Sequence, residues 1–596
     1  MRVAELVPQS TRRGGNCVRY LALAVDYDGT LAKDGKVAKR TVDALEQVAA
    51  SGRRLILVTG RELPQLLEIF PGIGLFDRVV AENGALLYRP SAQETEVIGP
   101  PASESLVLEL QRRGVAPLSV GKCIIATVRP YEATVLEAIA DLGLEGQVIF
   151  NKGAVMVLPP NVNKAYGLMA ALGELGLSPH NVVAIGDAEN DHALLQLAEY
   201  SAAVANAIAA LKEAADRTTA RAYGDGVIEL IRDLVTHDLE ETQPRAARRT
   251  ILLGTRSEDE PVSIAPAGVN LLVAGASGSG KSTLVTGILE RLAEQRYQFC
   301  VVDPEGDYEE FPDAFVLGSV ERPPSMPEIL TALQKPDANV VIDLVSLPLQ
   351  DRPTFFLSLL PQLLELRAKT GRPHWIVVDE THHLLPRDWK PAAMILPEAF
   401  TSMLYVTVHP DSVAPAVLGN VGVLAVTGKA PTSTIETFCR ATGVNVPAIQ
   451  VSAPEPGHAL VWRLRQREVP FTLRIAPPHT TLRRHRRKYA EGELPPERSF
   501  YFKGPEAKLN LRAHNLIMFM QIADGVDDET WGHHLGKGDY SQWIAAAIKD
   551  RTLAEQVREI EHGGLSPSQS RQQIRAAIEA RYTLPAQADA SGTSKV

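Results

Sequence analysis

A chain of 596 residues is too long for one hydrophobic core, and at roughly one domain per 150 residues it carries about three to five. Lys+Arg 61 against Asp+Glu 71 leaves a net charge of -10, which excludes a protein that coats nucleic acid with its whole surface but leaves room for a local basic patch. The four cysteines, Cys17, Cys123, Cys300 and Cys439, form no CxxC pair, so neither a disulfide framework nor a thiolate zinc site is indicated. A reducing, cytoplasmic setting is expected. No apolar signal core follows Arg12 and Arg13, and no run approaches the roughly 18 apolar residues of a spanning helix, so no membrane role is expected.

The segment from Tyr20 to Val25 is apolar and short enough for a buried parallel strand, and it ends in Asp26, Asp28, Gly29 and Thr30. In an open α/β sheet ligands bind at the carboxyl ends of the strands. Two aspartates there can divide labour, the first attacking phosphorus as a carboxylate and the second carrying a proton to the leaving oxygen. Thr41 to Ala50 has helical spacing, and Arg54 to Val58 is a second strand that ends in Thr59, Gly60 and Arg61. A hydroxyl with open backbone N–H groups there can hold a phosphate oxygen. Lys164 starts a helical run, where a cation can face the same phosphate. Val182 to Ile185 is another apolar strand, delivering Asp187, Asn190 and Asp191 to its carboxyl end with the hard oxygen donors a Mg²⁺ site requires.

In this order the four motifs resemble the haloacid dehalogenase (HAD) superfamily, and Glu82, Asn83, Gly84 and Ala85 with Gly224, Asp225, Gly226 and Val227 are similar to its Cof-type branch. The resemblance covers residues 19 to about 235. It implies a capped, Rossmann-like phosphomonoesterase that uses Mg²⁺ and an aspartyl-phosphate intermediate on a small, sugar-phosphate-like ester. Asp26 would be the nucleophile and Asp28 the general acid/base. Thr59, Gly60, Lys164 and Asn190 would hold the phosphoryl group, and Asp26, Asp28, Asp187 and Asp191 the metal. The stretch from about 86 to 160, inside a domain expected at 19–238, is read as an α/β cap. Its Arg129, Asn151 and Lys152 are candidate leaving-group contacts, although solvated surface is the commoner fate of such residues. Residues 239–262 read as a linker, with Arg245, Arg248 and Arg249 on a solvated face.

Asn270 to Gly275 is a strand running into Gly275, Ala276, Ser277, Gly278, Ser279, Gly280, Lys281, Ser282 and Thr283, and the helix that follows buries Leu284, Val285, Ile288, Leu289 and Leu292. This strand, glycine-rich loop and helix form a phosphate-binding loop for ATP or GTP. Backbone N–H groups cradle the phosphates, Lys281 reaches the outer ones and Ser282 binds Mg²⁺. A later apolar strand from His374 ends in Asp379 for the metal shell and Glu380 to polarise water. Asp303 to Tyr308, together with Val378 to His383, resembles the HerA/FtsK-like branch of RecA-type ATPases. That resemblance implies ATP hydrolysis, with Thr407 as a sensor of the γ-phosphate and an arginine from a neighbour in a homo-oligomer. His382 and His383 are read as structural. Residues 263–478 look like a bare RecA core without the insertions of DNA translocases.

Beyond a basic linker at 479–497, which contains Arg483 to Lys488, residues 498–583 read as a mainly helical module with helices from Leu509 to Ile522 and from Tyr540 to Lys549 and a core around Trp531 and Trp543. Residues 1–18 and 584–596 read as tails, the latter disordered. The leading expectation is an α/β multidomain phosphatase fused to an ATP-binding and ATP-hydrolysing domain that regulates or assembles it. One alternative is a nucleic-acid-associated ATPase whose phosphatase acts on nucleic-acid phosphate ends, disfavoured by the acidic charge. Another is a nucleotide-dependent switch for a partner.

Overall fold

The structure, a computed structural model, describes residues 18–240, 249–480 and 494–579, apart from 152, 257–258, 277–278, 320, 389–400, 450–454, 467, 495, 507 and 549–550. Short runs of branched aliphatic residues form the first sheet because both of its faces are covered. Ala22–Asp26 and Val182–Gly186 are buried along their whole length. The strand order is Arg217–Thr218, Tyr200–Ala203, Val182–Gly186, Ala22–Asp26, Arg54–Val58, Arg78–Ala81, Leu86–Arg89 and Glu94–Val97. The first six run parallel and the last two antiparallel. Two strands inside the expected cap, Leu86–Arg89 and Glu94–Val97, therefore extend the core sheet. The inserted layer is a separate antiparallel sheet of Ser119–Val120, Ile125–Val128, Ala154–Leu158 and Gln147–Asn151. Helices Glu104–Arg112 and Glu132–Asp141 cover it through a small core of their own around Leu106, Leu110, Val135 and Val155.

The second sheet has eleven strands. Seven parallel ones run in the order Val423–Thr427, Leu271–Gly275, Met403–Thr407, Trp375–Val378, Phe299–Asp303, Asn339–Asp343 and Ala314–Leu317. The strand that ends in Thr407 lies between the strand of the glycine-rich loop and the strand that ends beside Asp379. On the side of Val423–Thr427 the sheet continues through antiparallel His458–Arg463, Phe471–Ile475, Ile251–Thr255 and Pro261–Ile264. The last two fall mostly inside the segment read as a linker. Ile251–Thr255 pairs with Phe471–Ile475, more than 200 positions downstream, and Pro261–Ile264 adds at the edge beside it, a non-local pairing that local composition does not signal.

One compact unit comprises the described residues up to Pro304 together with Pro312–Thr480, and a second comprises Glu305–Phe311 with the described residues beyond Thr481. In the second unit Phe500–Phe502 and Leu511–Ala513 form a two-stranded sheet. The helix expected from Leu509 begins only at Leu516, where the Asn515 side chain accepts from Met518 N–H at 2.7 Å and caps it. Trp531, Tyr540, Trp543, Phe500, Phe502 and Phe519 pack together as the core. The basic run Arg483 to Lys488 and both tails lie outside the described residues. Among the described residues no helix is long and apolar enough to cross a membrane.

Candidate active sites

The carboxyl ends of the first parallel sheet gather the acidic residues. One carboxylate oxygen from each of Asp26, Asp187 and Asp191 lies within 4.8 Å of the others, and all three residues are buried. Lys164, on the first turn of helix Lys164–Leu175, sends its buried ammonium between them, 2.6 Å from Asp26 Oδ1 and 2.6 Å from Asp191 Oδ1. The other oxygen of Asp191 accepts from the backbone N–H groups of Asp187 at 2.9 Å and Ala188 at 3.0 Å. Gly186 makes this possible, because a Cβ there would sit 2.6 Å from the Asp191 carboxyl carbon. Thr30 adds a hydroxyl that donates to Asp187 Oδ1 at 3.3 Å.

The three carboxylates carry more negative charge than the one ammonium of Lys164, shared by Asp26 and Asp191, offsets. Burial, followed by the field of Asp191, pushes the Asp26 carboxyl up to about 8 against the pull of Lys164. Burial works to lower Lys164, but Asp191 and Asp26 overcome it and raise it above its ordinary value. An all-oxygen, buried, electron-rich donor set with a charge deficit fits a hard divalent cation.

The remaining residues expected in this site are placed as follows. Thr59 is fully buried and its hydroxyl accepts from Arg61 N–H at 3.1 Å. Gly60 packs against the Asn83 amide, 3.1 Å from where a Cβ would stand. Asn190 donates to Asn83 Oδ1 at 2.9 Å, while its own buried Oδ1 has no protein partner. The Asp28 carboxylate is not brought into the acidic group: Arg61 holds it with two hydrogen bonds of 2.6 Å. Arg61 follows Thr59 and Gly60 directly, so its nearness to the motif was the only available signal for this pairing. Glu82, buried, accepts from Lys122 N–H at 3.0 Å and Cys123 N–H at 2.8 Å and so ties the cap to the core. Arg129 is exposed near Glu132, and Lys152 and the Asn151 side chain lie outside the described residues.

At the second sheet, Gly275 ends its strand with φ 146, where a Cβ would meet Thr427 O at 2.2 Å. Helix Lys281–Glu294 begins after Gly280. Lys281 folds its ammonium back onto the loop, donating to Gly275 O at 2.9 Å and Ala276 O at 3.2 Å. Ser279 Oγ lies 2.6 Å from Thr427 Oγ1, on the next strand. Ser282 and Thr283 stand on the first helical turn. Ser277 and Gly278 lie outside the described residues. Asp379 Oδ1 accepts from Glu380 N–H at 2.8 Å, and Glu380 takes the left-handed backbone conformation at φ 36. His382, read from sequence as structural, has its Nδ1 3.5 Å from Glu380 Oε2 and 3.1 Å from Thr407 Oγ1. It thus stands between the two residues expected to polarise water and to sense phosphate. Its position on the helical turn Thr381–Leu384 after the acidic pair was the signal that could have marked it.

The family model of haloacid dehalogenase-like hydrolases matches residues 23–110 and 148–231, and that of the helicase HerA central domain matches residues 258–368. A phosphoglycolate phosphatase from Methanothermobacter thermautotrophicus is 34% identical over 220 residues, 35% of this chain and 97% of that protein. A phosphoglycolate phosphatase from Haloarcula marismortui is 33% identical over 218 residues, 35% of this chain and 95% of that protein. A solved haloacid dehalogenase-like hydrolase from Bacteroides thetaiotaomicron is similar over 36% of this chain and 99% of that one, at 19% identity and a TM-score of 0.33. With the acidic pocket and the glycine-rich loop both in place, the chain belongs to the haloacid dehalogenase-like hydrolases, as a phosphoric monoester hydrolase fused to a P-loop domain that is similar to the helicase HerA central domain.

Proposed function

We propose that the N-terminal domain hydrolyses a small anionic phosphate monoester of the phosphoglycolate kind, and that the P-loop domain binds and hydrolyses ATP in the same chain. The observation that carries the first part is the buried trio of Asp26, Asp187 and Asp191 around Lys164, together with relatives named phosphoglycolate phosphatase that match almost end to end.

In this reading the Asp26 carboxylate attacks phosphorus, the P–O bond to the leaving alcohol breaks, and Asp28 supplies that oxygen with a proton. Water then attacks the aspartyl phosphate, Asp28 takes its proton, and Asp26 and inorganic phosphate are released. Asp28 must exchange Arg61 for the leaving oxygen when substrate enters. Asp26, Asp187 and Asp191 would hold Mg²⁺, which when bound supplies the positive charge that the approach of a phosphate dianion to a carboxylate requires. Lys164 neutralises part of the same charge and fixes the direction of Asp26. Thr59, the N–H groups beyond Gly60, and Asn190 line the phosphoryl oxygens. At the second site Lys281 would trade loop carbonyls for phosphate oxygens, Ser282 and Asp379 would hold a Mg²⁺ that screens phosphate charge, Glu380 would polarise water, and Thr407 would report the γ-phosphate through His382. We place the domain boundaries near 240 and 480, in a protein of the cytoplasm.

The test is Mg²⁺-dependent phosphate release from phosphoglycolate, other small phosphate esters and phosphorylated oligonucleotides, comparing the intact chain with Asp26→Asn. Turnover of a small ester that vanishes in the variant is expected. Turnover confined to oligonucleotide ends would move the reading to the nucleic-acid alternative, which the HerA match keeps in view.

A further inference from the structure

The two parallel sheets carry their active sites at carboxyl ends and meet each other at the opposite, amino ends. On the phosphatase side the meeting residues precede strands: Arg19 before Ala22–Asp26, His180 and Asn181 before Val182–Gly186, and Glu199 before Tyr200–Ala203. On the ATPase side Tyr297 lies before Phe299–Asp303, and Gly371 to His374 before Trp375–Val378. Each active site is therefore a full strand, about 15 Å, from the shared face.

Glu199 is the centre of that face. Its carboxylate, 3% exposed, accepts from Arg19 and lies 2.8 Å from His180 Nδ1 within the phosphatase. From the ATPase side it accepts from Tyr297 Oη at 2.9 Å and from Arg249 at 2.9 Å. Arg249 also donates to Gln196 O and Leu197 O at 2.8 Å each, so this arginine, assigned from sequence to a solvated face, is a clamp between domains. The His180 ring stacks on Tyr297 with centroids 3.7 Å apart. A buried carboxylate so surrounded is costly to orphan and cheap to keep.

The helices that carry the two lysines both end on this face. Helix Lys164–Leu175 closes at Gly176, whose carbonyl accepts from the fully buried Arg372 of the ATPase at 2.6 Å, a cation at a helix C-terminus. Helix Lys281–Glu294 is followed by Gln295, whose carbonyl lies 2.7 Å from His180 Nε2 of the phosphatase. Each lysine's helix is thus tied at its far end by a residue of the other domain. Gly371, at φ 67, lets the backbones close: a Cβ there would meet the Asn181 amide at 2.1 Å.

We propose that the phosphatase and ATPase domains are one cooperative unit, locked back to back through the Glu199 cluster, with their active sites opening in opposite directions. The two lysine helices then tie each site to the neighbouring domain, and direct passage of a substrate from one site to the other is excluded by the geometry.

Hydrogen exchange of the full chain in rising denaturant, without ligand, tests this independently of either activity. Peptides from Val182–Gly186 and Trp375–Val378 are expected to lose protection together in the wild type. In Glu199→Gln they are expected to separate, with the first unfolding transition lowered by roughly 5–15 °C and phosphate release per folded molecule within about twofold of wild type. Should that variant not fold, Tyr297→Phe removes one donor and keeps the ring stack, and a smaller separation is expected. Independent opening of the two peptides in the wild type, or joint opening that persists in both variants, would overturn the proposal.

Discussion

The two phosphate sites of this chain are built on opposite electrostatic plans. In the phosphatase, three buried carboxylates cluster together and two of them share the ammonium of Lys164. In the P-loop, the ammonium of Lys281 donates to two neutral carbonyls of its own loop. The first site is prepared for a cation that brings the phosphate with it, and the second for a phosphate that replaces weak acceptors with strong ones.

This contrast is broken most sharply by removing the reactive group of each site. Asp26→Asn is expected to reduce phosphate release from a small ester by about 10³-fold or more while ATP turnover stays within about twofold, measured on the same preparation. Lys281→Ala is expected to give the mirror image, a loss of about 10²-fold or more in ATP turnover with phosphatase activity retained, read with a nucleotide-binding assay alongside. Loss of both activities in either variant would contradict a division into two chemistries.

A smaller effect sharpens the electrostatic side. Lys164→Met removes the ammonium that Asp26 and Asp191 share, and a loss of about 10²-fold in phosphatase kcat is expected, with stability lowered by roughly 3 kcal/mol because buried carboxylates lose their partner. Raised Mg²⁺ is expected to restore stability more than rate.

The pH dependence has a definite sign. Asp26 is raised from 3.8 to about 8, chiefly by burial, so the folded state favours its protonated form. Its contribution to stability is lost as pH rises from about 4 through 8, the reverse of a carboxylate whose pKa is depressed. A metal that needs the ionised form must displace that proton at pH 6 and less so at pH 8. The rise in phosphatase unfolding temperature on adding Mg²⁺ is therefore expected to be larger at pH 8 than at pH 6. An equal rise would place the proton elsewhere. The smallest expected effect is that of His382→Ala, about tenfold in ATP turnover with nucleotide affinity unchanged, since the ring touches Thr407 and Glu380 rather than the loop.

Much of both sites was legible because strand ends are legible. Asp26, Thr59, Asp187, Asp379 and Thr407 each follow a short apolar run, and a parallel sheet converts that one-dimensional pattern into one edge. Lys164 was legible as the first residue of a helix capped by Asn163, which accepts from Tyr166 N–H at 3.0 Å. What stayed hidden depended on contacts between distant segments. Asp28 pairs with Arg61, and no spacing rule announces it. Arg249 sits in a charged stretch whose partner, Glu199, is fifty residues upstream, so composition alone favoured solvent. Ile251–Thr255 looked like linker because the neighbour that makes it a strand, Phe471–Ile475, comes more than 200 residues later.

We propose that one chain holds a metal-dependent phosphatase whose nucleophile is Asp26 and an ATPase domain whose phosphate anchor is Lys281. The most direct measurement is phosphate release from phosphoglycolate and from ATP, in Mg²⁺ and after chelation, by wild type, Asp26→Asn and Lys281→Ala in parallel. Chelation is expected to stop both reactions, Asp26→Asn only the first and Lys281→Ala only the second. Phosphate release from small esters that survives in Asp26→Asn would contradict it.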